Sequence, residues 1–457
     1  MKPNILFLMT DEQKFDTFGV INPIIKTPNL DKLISESVFF KNAYCSNPSC
    51  IPSRAAIVTG KYPTACACPT YITDLPETET TFMAKLRQAG YYTSVVGKQH
   101  FWTSKIYKGY DYEQIVDGHT GSAPYEDIAS YADFLKDNGV THKQLYSNNL
   151  INGGTWVGKD KYHIDEFVGN AGKAWLKNHL KEDGEKPWFF TLSFPGPHQP
   201  YDCEGTEFAE LYDLEDMTRN ETTVEDLDQK PPHYKKYKWF IDKYGEEAFK
   251  KTKRSYYANM SFIDKKVGEI IEVLKENNAY DNTVIIYSAD HGDFMGEFGM
   301  IAKAQYLSEA LMRVPLFVKP PIKNYKGKIV DDYVTNINIA STCLTLANAK
   351  DSISYNMENN PFSAYWEQDK VEPEDYLYME AHDIKGIIEN KIKTLYYVNR
   401  DYGELYDLAK DPLERVNLWD CEEYQIHKNK AMKRIIDKMF SFSPKSNIKW
   451  NVADPEI

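Results

Sequence analysis

The sequence predicts an α/β protein: one large mixed, mostly parallel sheet sandwiched by helices, then a smaller C-terminal antiparallel sheet closed by a helix. Two observations predict it. Over the first 349 residues, short apolar runs of strand length alternate with helical patterns, as in a sheet layered by helices. After Ala349 the pattern changes to four short strands and one final helix. The expected division is therefore a unit over 1–349 and a smaller unit over 350–457.

The elements follow in order along the chain. Residues 5–9, Ile-Leu-Phe-Leu-Met, form a first strand, followed by a helix over 29–36, a strand over 38–43, a helix from Pro52, and another over 81–89. A strand over 92–96, a helix over 166–180, a strand over 188–194, a long amphipathic helix over 252–277, and strands over 284–288 and 314–318 complete the large unit. The smaller unit reads as strands over 376–379, 385–388, 391–398 and 404–408 with a helix over 424–440. Two stretches, 101–161 and 201–245, lack periodicity and are expected as insertions around a cleft mouth.

Composition narrows the function classes. With 42% hydrophobic and 26% charged residues, the 457-residue chain is neither disordered, collagenous nor coiled coil. Its 54 basic and 67 acidic side chains give a net charge of −13, which argues against a nucleic-acid partner. No stretch approaches the roughly 20 apolar residues needed to cross a bilayer, so no membrane partner is expected. The leading apolar run lacks a small-residue cleavage site and reads as a strand, which places the protein in the cytoplasm. Seven cysteines form an odd set without metal-site spacing, so neither a disulfide framework nor a zinc knuckle is expected. The two sequons, at Asn220 and Asn259, are read as chance matches.

Ionisable residues gather where strands end: Asp11 and Glu12, Lys98 and His100, Asp290 and His291. Ligands of open α/β sheets bind at that edge. Carboxylates there suit a hard divalent cation, although Asp11-Glu12 alone also fits a helix cap and Asp290-His291 a turn. Cys50 stands just before Pro52, which can open a helix, with Arg54 in the first turn. Such a position is electropositive and lowers a thiol pKa; a buried structural thiol is the alternative.

Cys50-x-Pro52-Ser53-Arg54 followed by Thr59-Gly60-Lys61-Tyr62-Pro63 resembles the motif of the type I sulfatases, members of the alkaline phosphatase superfamily. The resemblance implies that a separate maturing enzyme oxidises Cys50 to Cα-formylglycine, whose hydrated aldehyde is the nucleophile. After one hydroxyl of that hydrate takes the sulfuryl group, the other can lose its proton and expel sulfate. The resemblance also implies one calcium ion held by Asp11, Glu12, Cys50, Asp290 and His291. The second of the leading pair is commonly Asp or Gln in this family, so Glu12 departs from the pattern and Gln13 stands as the alternative ligand.

Further motifs fall in the family's order. Gly97-Lys98-Gln99-His100 is similar to its Gly-Lys-x-His element, which implies that Lys98 contacts sulfate and His100 neighbours the formylglycine. Pro197-His198-Gln199-Pro200 resembles Pro-His-x-Pro, implying that His198 faces the leaving oxygen, where a poor alcohol leaving group needs a general acid. Gly299-Met-Ile-Ala-Lys303 resembles the segment that supplies a second active-site lysine, Lys303. Arg54 and Lys98 would hold the charge on the sulfuryl oxygens. Phe298 stands where many relatives carry His, which suggests an altered substrate pocket. Glu404-Leu-Tyr-Asp407-Leu and Asp411-Pro412 resemble the family's C-terminal element.

The expected function is hydrolysis of a sulfate monoester, on a sulfated small molecule or an oligosaccharide. The rivals are a phosphonate monoester or phosphodiester hydrolase using the same site, and a non-catalytic binder of sulfated ligands in which Cys50 stays a thiol. A mutase would need a Ser or Thr nucleophile and a two-metal ligand set, and the sequence shows neither.

Overall fold

The computed structural model describes residues 2–101, 109–117, 129–145, 155–182, 186–237, 240–354 and 356–442. The chain runs through β1 (Asn4–Asp11), α1 (Pro28–Ser35), β2 (Val38–Tyr44), α2 (Cys50–Thr59), α3 (Phe82–Gln88), β3 (Tyr92–Gly97), β4 (Tyr112–Ile115) and α4 (Ala129–Asp137). It continues with α5 (Ile164–Glu182), β5 (Trp188–Pro197), α6 (Phe240–Glu276), β6 (Thr283–Ala289), α7 (Glu309–Met312), β7 (Leu316–Lys319), β8 (Lys328–Thr335) and α8 (Ile339–Leu346). A short α9 (Ala364–Glu367) leads to β9 (Leu377–Glu380), β10 (Ile384–Glu389), β11 (Ile392–Tyr397), β12 (Gly403–Asp407) and α10 (Gln425–Ser441).

The large sheet has eight strands in the order β4-β3-β5-β1-β6-β7-β2-β8. Only β7 runs against its neighbours, β6 and β2; the other pairs are parallel. Parallel strands need crossovers, and these put helices on both faces. That is why β1 is an unbroken apolar run. Leu6 and Leu8 enter one core with Phe190, Leu192 and Ile263, while Ile5, Phe7 and Met9 enter the other with Ile57, Phe82 and Leu344. The second sheet, β12-β11-β10-β9, is antiparallel throughout. The expected α/β class and the two sheets are thus present.

Several elements differ from expectation, each for a physical reason. Part of the first expected insertion is a strand: β4 pairs with β3 at the sheet edge, where its exposed Tyr112 and Glu113 leave no apolar run to read. The rest of that insertion includes α4, and its residues 102–108, 118–128 and 146–154 lie outside the described residues. β8 went unread because Asp331 and Asp332 interrupt it on the opposite, solvent-facing edge. α8 is buried along its whole length and so carries no amphipathic period. α6 begins earlier than expected, with a break at Gly245 (φ 81°). α2 starts at Cys50 rather than Pro52, with Ser49 as its N-cap, and Gly60 closes it in the left-handed region with its N–H on the Ala56 carbonyl. Among the described residues no helix is long and apolar enough to cross a membrane.

A buried ion network joins the two sheets. Lys393 on β11 is fully buried and reaches Glu309 at 2.8 Å and Glu414 at 2.7 Å. Glu414 also accepts the Ser308 hydroxyl and the Glu309 N–H, both at 3.0 Å, while Glu309 accepts the Tyr44 hydroxyl at 2.7 Å. Removing one partner of such a set leaves buried charge uncompensated. Lys393→Met is therefore expected to lower unfolding stability by about 3–5 kcal/mol, read as a drop in the urea midpoint at unchanged m-value.

Candidate active site

The strand order β3-β5-β1-β6 sets four C-terminal strand ends side by side. Asp11 ends β1, Lys98 follows β3, His198 follows β5 and Asp290 follows β6. The turn out of β3 requires glycine: Gly97 has φ +104°, and a Cβ there would overlap the Ser193 carbonyl oxygen. Glu12 (φ 61°) and His100 (φ 60°) also occupy the left-handed region, and Met295, Phe298 and Ala302 do so in the segment leading to Lys303. Such conformations cost energy in residues with a side chain and concentrate at functional sites.

Cys50 enters this group from the first turn of α2. Its Sγ lies 3.2 Å from His291 Nε2 and 3.6 Å from Asp11 Oδ1. Burial pushes the thiol up, but Lys303, His291, Lys98 and a hydrogen bond with His100 outweigh it and hold it well below the usual range. Burial instead pushes Cys45, Cys66, Cys68, Cys203 and Cys343 up. The electropositive setting read from the sequence is present at Cys50.

Arg54 braces the carboxylates from behind. Its Nε donates to Asp290 Oδ2 at 2.8 Å and its second terminal nitrogen to Asp11 Oδ2 at 3.2 Å. The first terminal nitrogen donates to the Lys98 carbonyl at 2.8 Å and the Ser193 hydroxyl at 3.1 Å. Arg54 is thus held against protein acceptors, which differs from the expected role of holding sulfuryl charge. Lys98 Nζ lies 2.5 Å from Asp11 Oδ2. Burial and Cys50 raise the Asp11 carboxyl, yet Lys98, His198 and Arg54 prevail and keep it far below the carboxylate range.

Donor atoms of Asp11, Cys50, Asp290 and His291 lie within 4.8 Å of one another, all buried. His291 Nδ1–H is held by the Gly292 carbonyl at 2.9 Å, which fixes the tautomer and aims the Nε2 lone pair into the cluster. Against burial and Lys303, Asp290 and Cys50 push His291 up to about 9. Glu12 belongs to a second group with Asp11 and His198. Its Oε2 accepts from Lys303 at 2.7 Å and lies 3.0 Å from His198 Nε2, its Oε1 is buried without a hydrogen-bond partner, and burial pushes the carboxyl up to about 8. An orphaned buried oxygen beside two carboxylates, a fixed imidazole and a thiol fits a resident cation.

The alternative ligand, Gln13, faces elsewhere. Its Oε1 accepts from Thr10 at 2.6 Å and Tyr287 at 2.8 Å, and its Nε2 donates to Thr17 at 2.8 Å. Those three contacts occupy the amide.

His198 donates Nδ1–H to the Gln199 carbonyl, leaving Nε2 toward Glu12. Burial, Lys303 and Lys98 push its imidazole down to about 3. The buried ring of Phe298 lies 4.8 Å from the Lys230 ammonium among Leu227 and Tyr234, and it also lines a cavity bounded by Lys14, Asn220 and Arg313. Gln305 was missed by the sequence reading. It donates to the Ser49 hydroxyl beside Cys50, and no motif marks it.

A family model described as Sulfatase matches residues 3–349, and one described as N-sulphoglucosamine sulphohydrolase, C-terminal, matches 296–440. The chain belongs to the sulfatase family. Sulfatases are sulfuric ester hydrolases, generally dependent on formylglycine and a metal. The sulfatase chain is 30% identical to an arylsulfatase of Clostridium perfringens, over 93% of this chain and 92% of that one. It is 29% identical to a choline-sulfatase of Rhizobium meliloti (91% and 82%) and 25% identical to an N-acetylglucosamine-6-O-sulfatase of Bacteroides thetaiotaomicron (96% and 86%). A phosphonate monoester hydrolase from Silicibacter pomeroyi superposes with a TM-score of 0.83 over 96% of both chains at 17% identity, a likeness of fold.

The geometry separates the two candidate ligands. Gln13→Leu is expected to cost about 1–3 kcal/mol of stability, by stranding buried polar partners, while cation affinity stays within about threefold. Glu12→Gln is expected to weaken cation binding by more than about tenfold and, by unpairing the Lys303 ammonium, to cost stability as well. Calorimetric cation titration and urea unfolding read both; the reverse pattern assigns Gln13.

Proposed function

We propose that this sulfatase cleaves the sulfate monoester of an alcohol, on a mono- or oligosaccharide, at the site centred on Cys50. The observation that carries the reading is the lowered Cys50 thiol at a helix N-terminus, facing Asp11, Asp290 and His291. A sugar substrate is supported by the N-acetylglucosamine-6-O-sulfatase relative; the arylsulfatase and choline-sulfatase relatives mark the breadth of alcohols that the family accepts.

Cys50, oxidised to Cα-formylglycine by a separate maturing enzyme, would supply the hydrated aldehyde whose hydroxyl is the nucleophile. One calcium ion, held by Asp11, Glu12, Asp290, His291 and the modified Cys50, would supply positive charge beside that hydroxyl and the sulfate oxygens. The remaining work falls to fixed side chains. Arg54 holds Asp11 and Asp290 in register for the cation. Lys98 and Lys303 place ammonium groups where negative charge on the sulfuryl oxygens and the leaving oxygen grows.

His198 stands with Lys303 at the same Glu12 oxygen, its Nε2 3.0 Å away, and would protonate the departing oxygen once a proton is drawn onto that nitrogen by the bound ester. Burial, Lys303 and Lys98 keep this imidazole neutral, and the anionic ester would offset the lysine part. His100, which helps to lower the Cys50 thiol, would take a proton from the second hydroxyl of the hydrate. Every side chain named here lies within 1–349, which we read as the catalytic unit.

The test combines chemistry and turnover in protein matured in its native host. The Cys50 peptide is expected to show an aldehyde or its hydrate in place of the thiol, with sulfate released from an aryl sulfate. Calcium chelation and Cys50→Ala are each expected to lower kcat/KM by at least about 10³-fold. An unmodified thiol with no turnover, despite a competent maturing enzyme, sinks the reading.

A further inference from the structure

A second buried polar cluster lies under the loop that carries His198. His163, Asp165, Asp202, Cys203 and Asn259 are all buried. His163, Asp202 and Cys203 present donor atoms within 4.8 Å of one another, as a zinc site does. The proton positions rule against a metal there. The Asp165 N–H donates to His163 Nδ1 at 3.2 Å, so Nε2 carries a hydrogen toward Asp202 Oδ1, 3.1 Å away. An imidazole that keeps its proton is a hydrogen-bond strut.

The strut grips the His198 loop on both sides. Before His198, the Gly196 N–H donates to Asp165 Oδ1 at 3.1 Å, and a Cβ at Gly196 would overlap Asn259 Oδ1. After it, Asp202 meets His163, and the N–H groups of Cys203 and Glu204 donate to the Ser255 hydroxyl at 2.8 and 3.1 Å. Asn259 ties the two sides together, donating to Asp165 Oδ2 at 2.9 Å and to Cys203 Sγ at 3.1 Å. Ser255 and Asn259 stand one turn apart on α6, whose Tyr256 also donates its hydroxyl to the Glu12 carbonyl at 2.6 Å. One helix face therefore references both the His198 loop and the Glu12 turn.

We propose that Asp165, supported by Asn259 and His163, is a positioning residue that sets the reach of His198 toward the leaving oxygen. This rests on the reading of His198 given above. Asp165 touches no reacting atom; it acts through Gly196, two residues before the imidazole. Misplacing a catalytic group by an ångström costs on the order of 10²-fold in rate. That loss falls where the group matters, on esters whose leaving alcohol needs a proton.

The test compares kcat/KM for a nitrophenyl sulfate, whose leaving group departs unaided, with that for an alkyl sulfate, using the mature full-length enzyme. For Asp165→Asn, which turns one acceptor contact into a donor–donor clash, the alkyl ester is expected to lose about 10²-fold and the nitrophenyl ester less than about threefold. Asn259→Ala is expected to shift the same way by about tenfold on the alkyl ester, and it serves if Asp165→Asn fails to fold. In a His198→Ala background Asp165→Asn is expected to add nothing. Equal losses on both esters, with His198→Ala selective for the alkyl ester, overturn the positioning role alone. Equal losses in His198→Ala itself overturn the leaving-group role and the proposal with it.

Discussion

The site depends on one buried bracket: Arg54 donating to Asp290 at 2.8 Å and to Asp11 at 3.2 Å. Both carboxylates are fully buried, and two such charges at close range repel unless a cation lies between them. A guanidinium fits because its planar fork reaches two acceptors at fixed angles, which an ammonium cannot do. The bracket joins the end of β1, the end of β6 and the first turn of α2, three places far apart in sequence. It therefore fixes where Cys50 stands relative to the carboxylates.

Topology supplies the rest of the geometry. Because β3, β5, β1 and β6 are adjacent and parallel, their C-terminal ends open on the same edge. The chain leaves each strand there through a turn with little freedom. Gly97 turns where no Cβ fits, Glu12 adopts a strained backbone, and Asp290 accepts the Glu12 N–H at 3.0 Å. Strain at Glu12 and His100 is tolerable because the sheet below is buried on both faces and cannot shift to relieve it.

Much of this was legible in the sequence, and the illegible parts share a cause. The central strands declared themselves because both faces are buried, so β1 and β5 read as continuous apolar runs. The edges β4 and β8 did not, since solvent on one side admits Asp331, Asp332 and Glu113. At the site, Cys50, Arg54, Lys98, His198, Asp290 and His291 followed from motifs, but what Arg54 touches did not. A motif fixes identity and order, whereas contact partners such as Asp11 and Ser193 come from strand adjacency. The His163 strut was silent for the same reason, as its members come from α5, the loop after β5 and α6.

Charge balance accounts for the anion that the site accepts. Arg54 is spent on Asp11 and Asp290, Lys98 on Asp11, and Lys303 on Glu12. Three cations facing three carboxylates are neutral together, and one divalent cation would leave two positive charges in surplus. An anionic sulfate ester therefore enters a site of net positive charge, which offsets the cost of taking it out of water.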